Sequence, residues 1–182
     1  MPTRHLAIVL TSASGLLLTG CAAQRLDSRE LASLERDVDS AVEDFIDQDP
    51  SLERWFEDSY GFAIFPNVGK GGIGIGGAYG EGLVYELGEA IGSVTLTQAT
   101  IGFQLGGQSY QQVVFFEAER FLEEFISGEF EFNAQASVVA ATAGASADAT
   151  FDNGMLIVTA QNGGLMYEAS VGGQTFKYRT LD

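Results

Sequence analysis

The sequence predicts an α+β fold: a curved antiparallel β-sheet or barrel-like core with N-terminal amphipathic helices and one inserted helix. Three observations lead there. Leu31, Leu34, Val38, Ala41, Val42 and Phe45 recur at three- and four-residue steps, the period of a helix with one buried face. From Tyr60 onward, short apolar or alternating blocks are separated by glycines, the texture of strands and turns. The turns are short, and short turns join strands antiparallel. A chain of 182 residues fits one domain. Its 46% hydrophobic content and 13 Phe exclude a disordered chain.

The elements follow in order. Asp27 or Ser28 caps the first helix, whose outer face is acidic. Asp49 and Pro50 start a second, with Asp49 at the cap, Pro50 at the first helical position, and Leu52, Trp55 and Phe56 facing inward. Phe62 to Phe65 is a strand ending at Pro66 and Asn67, read as a turn pair. Lys70 to Tyr79 is a glycine-rich strand, and Leu83 to Leu87 a short one before a connection bracketed by Gly88 and Gly92. Val94 to Leu105 is a long strand whose apolar phase switches near Gln98 to Thr100, which predicts a bulge or a crossing between layers. Tyr110 to Glu117 is apolar on both faces and reads as a strand covered on both sides. Ala118 to Ser127 is the inserted helix, stopped by Gly128. Phe130 to Ala140 alternates as a half-buried strand, and Asp152, Asn153 and Gly154 form a hairpin turn. Met155 to Ala160, Leu165 to Val171 and Thr175 to Tyr178 complete about eight or nine strands and three helices.

The first twenty residues stand apart from this fold. Arg4 and His5 precede an apolar run from Leu6 to Leu18, and small residues lead to a cleavage point. Leu18-Thr19-Gly20-Cys21 resembles a bacterial lipobox. The rival reading is an ordinary secretory signal with an incidental cysteine. In the lipobox reading residues 1–20 are a lipoprotein signal peptide, 21–30 a lipidated tether and 31–182 a single domain. Cys21 then carries two or three acyl chains, and each buried CH₂ contributes about 0.8 kcal/mol of membrane affinity. Ala22, rather than Asp, follows the cysteine, which resembles the pattern of sorting to the periplasmic face of the outer membrane.

Charge and residue inventory narrow the function. The whole chain carries −16; without residues 1–20 it keeps eight basic residues against 25 acidic ones, a charge of −17. This argues against a nucleic-acid partner, whose phosphates need Lys and Arg. The processed chain has no histidine, and its single cysteine is the anchor, so it lacks Ser-His-Asp and Cys-His catalysis and His-ligated metal. Remaining candidates for acid/base work are Glu81 with Glu86, or Glu117 with Glu119, and spacing alone does not single them out. No calcium loop of the DxDxDG type is present. The reading assigns no catalytic residue, no metal and no cofactor. From Asp27 to Asp58 there are 12 acids and three arginines, a net −9, which reads as a solvated face.

Residues 69–82 hold the strongest local signal. Gly72, Gly74 and Gly77 satisfy GxGxxG, but strand-like residues follow where a dinucleotide site needs a helix. Every even position from Gly72 to Gly82 is small, while Ile73, Ile75 and Tyr79 point the other way. One face is bare backbone, open to close internal packing or to an acyl chain.

Gly61-Phe62-Ala63-Ile64-Phe65-Pro66-Asn67-Val68-Gly69-Lys70-Gly71-Gly72 resembles the start of the SYLF domain core. Thr97 to Gln108, Phe130 to Ala136, and Gly164 to Gln174 are similar to its later blocks. The resemblance spans about Ala32 to Tyr178, and the whole looks like a bacterial SYLF lipoprotein. It implies a lipid-binding domain, with phosphoinositide binding known from eukaryotic members and attributed there to a basic or amphipathic N-terminal segment. Here that region is net −9, so the attraction of roughly 1 kcal/mol per basic residue near an anionic surface has no source in it. The expected lipid contacts are Lys70 at a headgroup and Gly72, Ile73, Gly74, Ile75, Gly76 and Tyr79 along the chain. The alternative is a structural or interaction protein of the cell envelope, binding a protein partner through its acidic helices.

Overall fold

Asp27 begins the folded part of the chain. Its side chain accepts from the backbone N–H of Arg29 and Glu30, both at 2.8 Å, while Glu30 accepts from the Asp27 N–H at 2.9 Å. This reciprocal capping box satisfies donors that a helix start otherwise leaves open. The helix it opens, α1 (Ser28–Gln48), buries Leu34, Val38, Ala41 and Phe45. The computed structural model describes residues 26–102, 108–128, 138–140, 149–161, 164–168 and 173–181.

Asp49 caps the next turn as expected, accepting from the Ser51 N–H at 3.0 Å and the Ser51 hydroxyl at 2.6 Å. Pro50–Leu52 is a 3₁₀ turn that leads into α2 (Glu53–Asp58). Leu52 and Trp55 are buried, and the Phe56 ring packs edge-on against Phe62 at 5.2 Å and Phe115 at 4.9 Å.

The strands are β1 (Gly61–Glu86), β2 (Glu89–Gly102), β3 (Gln108–Phe116), β4 (Val138–Ala140), β5 (Met155–Gln161), β6 (Gly164–Glu168) and β7 (Gln174–Thr180). The inserted helix α3 (Glu119–Ser127) lies between β3 and β4 and ends at Gly128, which takes a left-handed φ of 72°. Among the described residues the seven strands form one antiparallel sheet in the order β4-β6-β5-β3-β1-β2-β7. The fold class is α+β, with three helices on an open, curved sheet.

β1 departs from the sequence expectation. The three separate strands expected at Phe62 to Phe65, Lys70 to Tyr79 and Leu83 to Leu87, and the turn at Pro66 and Asn67, are replaced by one 26-residue strand. Its first arm, Gly61 to Lys70, pairs with β3, and its second, Gly74 to Glu86, pairs with β2. Pro66 and Asn67 sit in a bulge, where the register with β3 shifts between Phe65 and Val68. A proline has no N–H for the ladder, and a bulge tolerates that loss without ending the strand. The two arms then double back on each other: Tyr85 lies against Gly61, and Gly80 and Gly82 lie against Asn67 and Ile64.

Two further details differ. The β1–β2 register runs unbroken through Gln98 to Thr100, and its irregularity sits at Val84 and Tyr85 instead. The connection contracts to a two-residue turn, Leu87 and Gly88, with φ of 49° and 86°, and Gly92 lies inside β2. Of the expected strand from Phe130 to Ala140, only Val138–Ala140 is described, as β4. The phase switch at Ile101, Phe103 and Leu105 lies outside the described side chains.

Alternation on the central strands divides the core in two. Phe62, Ile64, Val113, Phe115, Leu156 and Val158 face α1 and α2. Ala63, Phe65, Val114, Phe116, Met155 and Ile157 face α3 and the curled β7. β3 is therefore buried on both sides, as its doubly apolar sequence predicts. The Phe125 ring on α3 lies tilted against Phe116 at 5.0 Å and Phe176 of β7 at 4.9 Å, and Phe65 meets Phe176 at 5.7 Å. Each such ring contributes about 1.5–3 kcal/mol by its burial.

Candidate functional site

The second arm of β1 carries the expected contact residues, and its two faces have different fates. Its small face turns inward. A Cβ on Gly80 would stand 2.8 Å from Val68 Cγ2 and 2.9 Å from the Asn67 carbonyl oxygen. A Cβ on Gly82 would meet the Ile64 carbonyl oxygen and come within 2.9 Å of the Phe65 ring. At these two positions the bare backbone accommodates the first arm of the same strand, so close internal packing uses that part of the face. An acyl chain has no room at Gly80 and Gly82.

Tyr79 faces the opposite way and is 54% exposed. Its hydroxyl donates to Glu81 Oε1 at 2.6 Å. That bond, followed by partial burial, raises the phenol pKa and keeps it protonated. Lys70 is half-buried at the far end of the first arm, opposite Gln108 of β3. Gly76 lies on the second arm opposite Thr100. Gly72, Ile73, Gly74 and Ile75 belong to β1, but their side chains lie outside the described set, as does Cys21.

The start of α1 reaches this end of β1. Leu26, Glu30, Leu34 and Asp37 share a cleft of about 490 Å³ with Glu81 of β1 and Arg179 of β7. The point where the chain enters the fold is therefore close to Glu81, the partner of the exposed Tyr79. The sequence did not reveal this neighbourhood, because Leu26, Glu81 and Arg179 are far apart in the chain and share no motif.

The glycine triplet Gly72, Gly74 and Gly77 lies within β1, with β2 following it. A helix N-terminus for a pyrophosphate is thus missing at that motif. Among the described residues no group of three His, Cys, Asp or Glu side chains is arranged to hold a metal. No described helix is long and apolar enough to cross a membrane. Glu86 accepts the Tyr60 hydroxyl at 2.6 Å. This bond, with some desolvation and the nearby carboxylates of Glu119, Glu86 and Glu123, pushes the Tyr60 pKa up to about 12.

Comparison with known proteins adds two findings. Residues 97–181 match the Ysc84 family model, described as "Las17-binding protein actin regulator". The match runs from the middle of β2 to the end of β7, and over that stretch the chain is similar to the family. Over 142 residues the chain is 26% identical to Beta cell expansion factor A of Aeromonas veronii, covering 76% of this chain and 53% of that protein. The chain thus spans about half the length of this curated relative.

Proposed function

We propose that this protein is an outer-membrane-anchored periplasmic lipoprotein whose SYLF-type domain binds phospholipid. The observation that carries the reading is the family match over residues 97–181, joined to the lipobox-like Leu18-Thr19-Gly20-Cys21. Cys21 is the attachment point, and the domain takes no catalytic role. Four residues lie between Cys21 and Leu26, so the five steps reach at most roughly 18 Å when extended. Because Leu26 shares a cleft with Glu81, that short tether holds the second arm of β1 near the bilayer. Tyr79 is the aromatic side chain suited to the interface, with an apolar ring and a polar tip. Lys70 is the candidate headgroup contact. A surface as acidic as this one gains little from anionic lipid, so covalent anchoring carries the membrane attachment.

Two measurements test the reading. Palmitate incorporation and membrane fractionation are compared for the full chain and Cys21→Ser; the variant is expected to lose the label and the membrane fraction. The soluble Cys21→Ser protein is then extracted for lipid and tested on vesicles of several headgroups. No bound lipid together with no vesicle binding overturns the lipid-binding half.

A second reading is favoured by the outer face of α1, where Glu35, Asp37, Asp39, Glu43 and Asp47 are exposed. It makes the protein an envelope interaction module that docks a protein partner on its acidic helices. Crosslinking in cells from residues 30–58 separates the two: a partner lost on charge reversal supports this second reading.

A further inference from the structure

A polar cleft of about 400 Å³ opens beside the C-terminal half of α1, away from the cleft at Glu81. Six residues with hydrogen-bonding side chains line it, from four elements. Asp44 and Gln48 come from α1, Asn67 from the β1 bulge, Ser109 and Gln111 from β3, and Gln161 from the end of β5. The bulge matters because it takes Pro66 and Asn67 out of the regular ladder and leaves Asn67 exposed on the cleft. The site is also partly preorganised. Gln111 Nε2 donates to Asp44 Oδ2 at 2.8 Å across 67 residues of sequence, and Gln48 Nε2 donates to the Asp44 carbonyl at 3.2 Å.

The chemistry of the lining selects a ligand class. Four carboxamides and a hydroxyl offer donors and acceptors in similar number, with one carboxylate already engaged. Such a set matches vicinal hydroxyls and acetamido groups, which both donate and accept. The apolar lining is confined to Pro66, Tyr110 and Ala160, so there is no socket for a large apolar side chain. The neighbouring acids of α1 disfavour an anionic ligand. We infer that this cleft binds a neutral saccharide. The inference is independent of lipid binding by β1.

The test uses the full chain with triacetylchitotriose and maltotriose as neutral probes, trigalacturonate as the anionic control and tetra-alanine amide as the peptide control. Binding is followed by calorimetry and by amide chemical shifts. A neutral trisaccharide is expected to bind, shifting the amides of residues 44–48, 67, 109–111 and 161. Asn67→Ala and Gln161→Ala remove exposed side chains and are expected to keep the native circular dichroism. Each should weaken binding by about three- to tenfold, the loss of one or two hydrogen bonds. Lys177→Ala, outside the cleft, should leave it unchanged, and vesicle binding by all three variants should match the parent chain. The inference is overturned if neither neutral trisaccharide binds, if binding is indifferent to both cleft variants, or if the peptide or the anionic sugar binds more tightly.

Discussion

Gln112 and Gln174 form a reciprocal pair inside the curled half of the sheet, each amide donating to the other's carbonyl at 3.2 Å. Gln112 is 1% exposed and Gln174 7%. The pair joins β3 to β7, which are not neighbours in the sheet, and so holds the curl closed. Replacing one partner with leucine leaves the other's donor and acceptor unmet, at about 1–3 kcal/mol for a buried orphan. Gln174 is nearer the surface and recovers some hydration when it is the survivor, so Gln112→Leu is expected to cost about 2 kcal/mol. Gln174→Leu strands the fully buried amide of Gln112 and should cost about 3 kcal/mol. With both replaced no orphan remains, so most of the roughly 5 kcal/mol summed from the single variants should vanish and the double variant should lie near the parent chain in stability. Urea unfolding followed by fluorescence of Trp55, the single tryptophan, measures all four proteins. Additivity within about 0.5 kcal/mol would refute the reasoning, because independent sites behave that way.

Two other predictions concern stability. Gly82→Ala drives a Cβ into the Ile64 carbonyl oxygen and the buried Phe65 ring, and should cost about 1–3 kcal/mol. Gly71→Ala meets nothing within 4 Å and should change stability by less than about 1 kcal/mol; equal losses at the two sites would undo the close-packing account. The raised Tyr60 pKa means the folded state holds that proton more tightly than the unfolded chain. Its contribution is fully present below pH 10.0 and is lost as pH climbs toward about 12. Tyr60→Phe should flatten the fall in unfolding midpoint over that range. An unchanged alkaline profile, with tyrosinate absorbance rising at ordinary pH, would contradict the Glu86 hydrogen bond as its cause.

What was legible in the sequence rested on local chemistry. The α1 cap, its buried stripe, the Asp49 and Pro50 start, the α3 stop at Gly128 and the doubly apolar β3 are set by residues within a turn or two of one another. The small face from Gly72 to Gly82 was legible as an invitation to close approach. What would approach it was not, because the occupant at Gly80 and Gly82 is backbone some 13 to 18 residues earlier. The bulge at Pro66 and Asn67 was misread for a related reason. A Pro-Asn pair favours a turn locally, and only pairing with β3 on both sides of it keeps the strand going.

The same division applies to the candidate sites. The lipobox-like Leu18-Thr19-Gly20-Cys21 and a single histidine, at position 5, are read from residue identity alone. The curl that brings β7 over β3, the proximity of Leu26 to Glu81, and the cleft between Asn67, Gln111 and Gln161 depend on long-range pairing. Asp44 and Gln111 illustrate the limit. Each is an unremarked polar residue in its own segment, and only the path of α1 across the sheet makes them partners. Local periodicity and capping determined the elements of this protein; burial of two core faces on one curved sheet decided which side chains meet.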